Sequence, residues 1–168
     1  MKKILLSLVM LCMIGFINAQ TAFSGKGDKR FQIGANFQNK GTGIMASLDF
    51  GLGESFSIGL QAGYLLGVDK VDGKKPDTND RFDLKGRFNA HLGSVLGLPE
   101  NIDIYPGLDL GLKNFGGHAG VRYFFSHGLG LFGEVNFPIA RYNTDADGFK
   151  KLNNQFGVSA GVSFDITR

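Results

Sequence analysis

The sequence predicts an all-β fold, an eight-stranded antiparallel up-and-down transmembrane β-barrel, and three observations carry that expectation. First, the stretch Ala119–Phe137 alternates strictly. Val121, Tyr123 and Phe125 share one face with Arg122 on the other; beyond a turn, Leu129, Leu131, Val135 and Phe137 oppose Glu134 and Asn136. Successive strand side chains point to opposite faces, so this pattern sets one face in an apolar medium and mid-strand charge in a polar one. Second, no apolar run beyond the leader approaches the ~20 residues of a membrane helix; contact with lipid would have to be made by strands. Third, glycine is 26 of 168 residues, well above the usual ~7%, and a narrow barrel needs small residues on its inner face.

Residues 1–19 read as a secretory signal peptide: Met1-Lys-Lys, an apolar run from Ile4 to Ile17, and Ala19 before polar sequence. Cleavage there leaves a barrel domain over 20–168. It also removes Cys12, the only cysteine, and two lysines, so that 16 basic residues face 15 acidic ones. A mature chain so nearly neutral, without thiols, points away from nucleic acid and from disulfide or thiol chemistry.

Residues 20–29 are polar and glycine-containing and read as a short lead-in. Strand one, about Arg30–Asn39, sets Phe31, Ile33, Ala35 and Phe37 against Gln32, Gly34, Asn36 and Gln38. Strand two sets Ile44, Ala46, Leu48 and Phe50 against Met45, Ser47 and Asp49. Strand three sets Phe56, Ile58, Leu60, Ala62, Tyr64 and Leu66 against Ser57, Gly59, Gln61 and Gly63. A long polar loop follows over 68–80. Strand four sets Phe82, Leu84, Phe88, Ala90 and Leu92 against Asp83, Lys85, Arg87, Asn89 and His91. Strand five sets Ile102, Ile104, Leu108, Leu110 and Leu112 against Asp103, Tyr105, Asp109 and Lys113, with Pro106 unable to donate to a ladder. The Ala119–Phe137 hairpin supplies strands six and seven. A second polar loop, 143–151, leads to strand eight, where Phe156, Val158, Ala160, Val162, Phe164 and Ile166 oppose Gln155, Gly157, Ser159, Gly161, Ser163 and Asp165. The strand count is even, and the longest connections follow strands three and seven. With both termini inside, those loops lie outside the cell, as in bacterial barrels.

The outward set is expected to include Phe31, Phe37, Leu60, Leu84, Phe88, Leu110, Val121, Leu131, Val158 and Val162. The inward charges Asp49, Asp83, Lys85, Arg87, Asp109, Lys113, Arg122 and Glu134 form the candidate site. They are expected to pair with one another, because buried charges need partners. Parity in the hairpin requires an odd loop, most simply Ser126-His127-Gly128. That loop faces Phe125 to Leu129 and Val121 to Gly133, and sets Arg122 diagonal to Glu134 for a salt bridge, direct or shared through a lumen neighbour.

Gly120-Val-Arg-Tyr-Phe-Phe125 followed by Gly130-Leu-Phe-Gly-Glu-Val135 resembles a hairpin of the small outer-membrane barrels, the OmpA- and OmpX-like proteins and their porin-family relatives. The resemblance implies insertion in the outer membrane, contact with its lipid, and no catalytic residues to carry over. Members commonly end on an aromatic residue, whose place Phe164 would take here.

Other motifs predict little. Gly128-Leu-Gly-Leu-Phe-Gly133 spells a dinucleotide fingerprint but lies on a turn and strand, where no helix opens at the glycines. Asn143–Gly148 resembles half a calcium loop and has Asn154 where a bidentate Glu is needed. Ser126 and His127 are adjacent and point apart, so they form no nucleophile–base pair. His91 and His118 have lumen parity and read as part of a polar interior.

The sequence thus predicts a non-enzymatic barrel without cofactor or metal, with an envelope-structural or surface-interaction role through loops 68–80 and 143–151. Two alternatives stand beside it. One is a narrow channel for small solutes. The other is a secreted lipocalin-like barrel, whose apolar face would turn inward around a ligand.

Overall fold

The computed structural model describes residues 21–70, 76–142, 149 and 151–167. The leader, 1–19, and the calcium-like stretch, 143–148, lie outside them. Eight strands form a closed barrel in sequence order: β1 Lys29–Gln38, β2 Gly41–Gly51, β3 Phe56–Val68, β4 Phe82–Ala90, β5 Ile102–Gly111, β6 Asn114–Ser126, β7 Leu129–Arg141 and β8 Gly157–Asp165. Each is antiparallel to its neighbours, and β1 closes on β8 from Arg30 opposite Asp165 to Gln38 opposite Gly157. Closure removes both sheet edges over the length of the β1–β8 ladder.

Alternation places the side chains. Eight of the ten residues expected to face outward are 39–65% exposed, while Phe31 and Val162 are half-buried on the same face. Ser, Asn, Gln and charged side chains occupy the interior. This is the inverse of a ligand-binding barrel with an apolar cavity.

The strands differ from expectation where backbone chemistry intervenes. β6 begins at Asn114, earlier than expected, and brings His118 onto the inner face. β5 stops at Gly111, which leaves Leu112 and Lys113 as a two-residue turn. Pro106 sits within β5 opposite Ala119 of β6. On its other side the ladder to β4 covers only Gly107–Gly111, so its missing N–H interrupts no bond there.

The hairpin satisfies parity by another route. Ser126 pairs with Leu129 across His127-Gly128, and Phe124 pairs with Gly130, so Phe125 is an extra residue in a β-bulge. The bulge supplies the odd residue that a three-residue loop would have supplied, and Val121 lies opposite Gly133 as the parity argument requires. Gly128 takes φ 77°, a left-handed value that glycine adopts without steric cost.

Both mouths are covered. At the termini end the lead-in folds across the opening: Ala22 is fully buried, its N–H bonds to Glu100 O at 2.7 Å, and the Phe23 ring stacks on His91 with centroids 3.5 Å apart. Asp28 and Arg30 lock it to the β1–β8 seam. Arg30 pairs with Asp28 at 2.8 Å and with Asp165 at 2.7 Å, while the Thr167 hydroxyl donates to Asp28 at 3.1 Å. At the loop end a one-turn helix, α1 Thr78–Arg81, precedes β4. There Phe149 and Leu152 pack on Leu65, which has the inward parity of β3 and lies just before the β2–β3 bulge. Asn153 holds this cover by donating to Arg81 O at 3.1 Å, receiving the Asn114 amide at 2.8 Å and bonding Gln38 Oε1 through its N–H at 3.2 Å.

Candidate functional site: the ion-paired lumen

Parity alone sends the charged side chains inward, but barrel closure decides their partners. Arg87, from the middle of β4, is the hub. Its Nη2 reaches Glu134 of β7 at 2.6 Å, Nη1 donates to Gln61 at 3.0 Å, and Nε lies 3.4 Å from Asn89 Oδ1 and 3.7 Å from Asp49. The direct Arg122–Glu134 salt bridge expected from the hairpin is therefore absent among the described contacts. Glu134 takes its cation from across the lumen, because a long guanidinium side chain spans the interior of a narrow barrel. Arg122 instead lies 3.6 Å from Asp49 and 3.9 Å from Asp103, its guanidinium over the Tyr105 ring at 4.1 Å. Asp49 thus stands between Arg122 and Arg87, and the two hairpin charges communicate through that pair.

Asp109 binds His118 Nδ1 at 2.9 Å, and His118 Nε2 lies 2.7 Å from Asn89 Oδ1. Asp83 and Lys85 form a looser pair at 3.6 Å nearer the loop end, where Lys85 stays partly exposed. Lys113 is not in the central cluster: in the β5–β6 turn, its ammonium donates to Asn79 O at 3.0 Å. Of the eight expected residues, then, Asp49, Arg87, Arg122 and Glu134 meet in one cluster, with Asp109 joined through His118 and Asn89. Asp83–Lys85 and Lys113 line the loop end.

Glycine makes the packing possible at two sites. A Cβ on Gly120 would strike the Tyr105 ring, and one on Gly107 would strike the His118 imidazole. Side chains fill the centre, and the polar cavity towards the loop end, lined by Asn36, Gln61, Gly63 and Asp83 among others, measures only ≈ 20 Å³. That is room for about one water.

Sequence reading missed several members. Asp28 stood in the apparent lead-in, and Arg30 stood at the first position of strand one without being counted among the inward charges. Phe124 and Phe132 are large apolar residues with inward parity, and Phe124 lies under the Arg30 guanidinium at 4.9 Å. A second constellation sits at the termini mouth. His91 Nδ1 binds Asp103 Oδ2 at 2.6 Å and His91 Nε2 binds Ser57 Oγ at 2.8 Å, with all three residues at most 2% exposed. Burial holds the His91 imidazole below its ordinary pKa, against the opposing pull of Asp103. Parity on strands three, four and five was the available signal for this group. Among the described residues no three potential ligands cluster as a metal site.

The architecture defines a class, a closed eight-stranded barrel with an apolar exterior and an ion-paired interior. Residues 13–166 match the model of a family of unknown function, DUF6646, and the chain belongs to that family. The fold is similar to a structure from the de novo design of transmembrane β-barrels, with a TM-score of 0.57 and 11% identity over 85% of this chain and 98% of that one. No curated protein matches the chain.

Proposed function

We propose that the protein is a small outer-membrane β-barrel, similar to the OmpA- and OmpX-like proteins, exported through cleavage of residues 1–19. Its role is envelope-structural or surface-interacting, exerted through the end that carries loops 68–80 and 143–151. The observation that carries this reading is the inversion of polarity. Apolar side chains such as Leu60, Leu110 and Phe37 stand about half or more exposed around the wall, while Arg87, Arg122, Asp49 and Glu134 are almost fully buried within it. Soluble proteins rarely expose apolar surface of such extent, whereas a lipid-facing wall requires it.

The charge network serves here as a filling that locks the strands, with no catalytic or conducting role. Covered mouths and the small cavity favour this over the narrow channel. The deciding experiment is expression of the full chain followed by fractionation. The protein should remain with the outer membrane through salt and alkaline washes and leave it only in detergent. Recovery as a soluble periplasmic protein would overturn the membrane reading, and stepwise single-channel conductance in planar bilayers would overturn the filled-lumen reading.

A further inference from the structure

We propose that Ser57, His91 and Asp103 form a serine acyl-transfer centre for esters of short acyl groups, kept closed by the lead-in Thr21–Asp28. The inference goes beyond the membrane reading and does not depend on it. The expectation that the chain is not an enzyme rested on the family resemblance, which carries over no catalytic residues, and on Ser126 and His127, neighbours that point apart; these three residues lie on three different segments and meet when β3, β4 and β5 pair.

The connectivity is that of a nucleophile, a base and an orienting carboxylate. Asp103 Oδ2 accepts a hydrogen bond from His91 Nδ1–H at 2.6 Å, which leaves Nε2 free to accept from the Ser57 hydroxyl at 2.8 Å. Such an arrangement fixes the imidazole tautomer and presents a base to the hydroxyl proton. The second Asp103 oxygen is 3.4 Å from the Gly93 N–H, which holds the carboxylate in place. Asn89 directs its amide NH₂ at Ser57 Oγ at 2.9 Å, while its Oδ1 faces Arg87 Nε and His118 Nε2. That donor stands within reach of the charge that would develop on a carbonyl oxygen beside Ser57.

A cavity of ≈ 90 Å³ adjoins the His91 and Asp103 side of the group, lined also by Phe23, Leu98, Pro99 and Ile102 among others. Its volume is about that of three waters, which suits a short acyl group and not a lipid chain. The cover is local: Phe23 lies flat on the imidazole, and the Gly25–Asp28 turn crosses β2 at Gly51. Displacement of this segment exposes the serine from the termini end.

The chemistry balances without a cofactor. Ser57 Oγ bonds to the ester carbonyl carbon as its proton passes to His91 Nε2. The tetrahedral adduct expels the alcohol, which takes that proton, and leaves an acylated Ser57. Water then attacks the acyl carbon while giving a proton to His91. The carboxylic acid departs and the proton returns to Ser57.

The test uses the full chain folded in detergent, with a fluorophosphonate probe and site identification by mass spectrometry. Ser57 should be labelled, and Phe23→Ala should label faster because the ring over His91 is gone. Ser57→Ala should abolish the label. Asp103→Asn and His91→Gln should slow it by roughly 10²–10⁴-fold in barrels that keep the heat-modifiable gel shift of the folded protein. The labelling rate should fall at acid pH as His91 takes up a proton. A Phe23→Ala protein that is folded and unlabelled at Ser57 overturns the proposal. So does labelling of Ser57 that His91→Gln leaves unchanged, since that would mark an ordinary exposed hydroxyl.

Discussion

The two mouths of the barrel are closed by different physics. At the termini end the cover is charge and aromatic stacking: Arg30 between Asp28 and Asp165, and Phe23 on a buried His91 beside Asp103. At the loop end it is a small apolar cluster, Leu65 with Phe149 and Leu152, tied down by neutral amides of Asn153 and Asn114. An ionic cover is strong but conditional, since it fails when one partner is lost or a proton is gained. An apolar and amide cover is indifferent to pH and fails gradually as atoms are removed.

The largest break in this comparison should come from Arg30→Ala, which removes the buried cation shared by the carboxylates of Asp28 and Asp165. A loss of about 3–5 kcal/mol is expected, measured by denaturant unfolding in detergent, with early exposure of residues 21–28 in hydrogen exchange. Leu152→Ala at the other mouth should cost about 2 kcal/mol, the lower end of the range for buried leucine. It should open residues 151–156 without disturbing 21–28.

Acidification sharpens the contrast. The folded pKa of His91 lies below its unfolded value. From about pH 6.5 downward the unfolded chain therefore binds a proton that the folded one refuses, and stability falls until the folded pKa has been passed. Groups facing the ring are Asp103, Ser57 and Tyr105, with Arg122 and Asp49 contributing from further off. Relative to the intrinsic exchange rate at each pH, the protection of 21–28 should fall between pH 7 and 5 while that of 151–156 stays level, and His91→Gln should flatten the first response. The smallest effect is expected at Lys40, in the β1–β2 turn at the loop end, where φ is 58°. Lys40→Gly should stabilise by about 0.5 kcal/mol, since relief of the left-handed strain slightly exceeds the entropy glycine adds to the unfolded chain.

These regions also differ in how far the sequence disclosed them. Wall polarity was legible because a strand has period two: Leu60 or Arg87 declares its face from its immediate neighbours. Partner choice was not. Glu134 chooses Arg87, 47 residues earlier, a matter of lumen cross-section that no local pattern encodes. The Phe125 bulge was invisible for a related reason, since parity demands an odd residue without saying whether a loop or a bulge supplies it. The lead-in was misjudged because polar and glycine-rich residues read as solvent-facing. Here Asp28 is polar because it binds Arg30, and Ala22 and Phe23 were the apolar hints that the segment packs. The Ser57–His91–Asp103 group had the right parity on each strand but no sequence spacing to announce it.

The seam where the first strand meets the last has a consequence for the order of construction. Arg30 is made early and waits for Asp165, and the Lys29 amide waits for the hydroxyl of Thr167 at 2.7 Å. Six intervening strands must be synthesised before that latch can shut. Until then the nascent sheet has two live edges, and a buried arginine has only half of its counter-charge. The chain is thus obliged to travel as an open, needy intermediate and to finish in one late step.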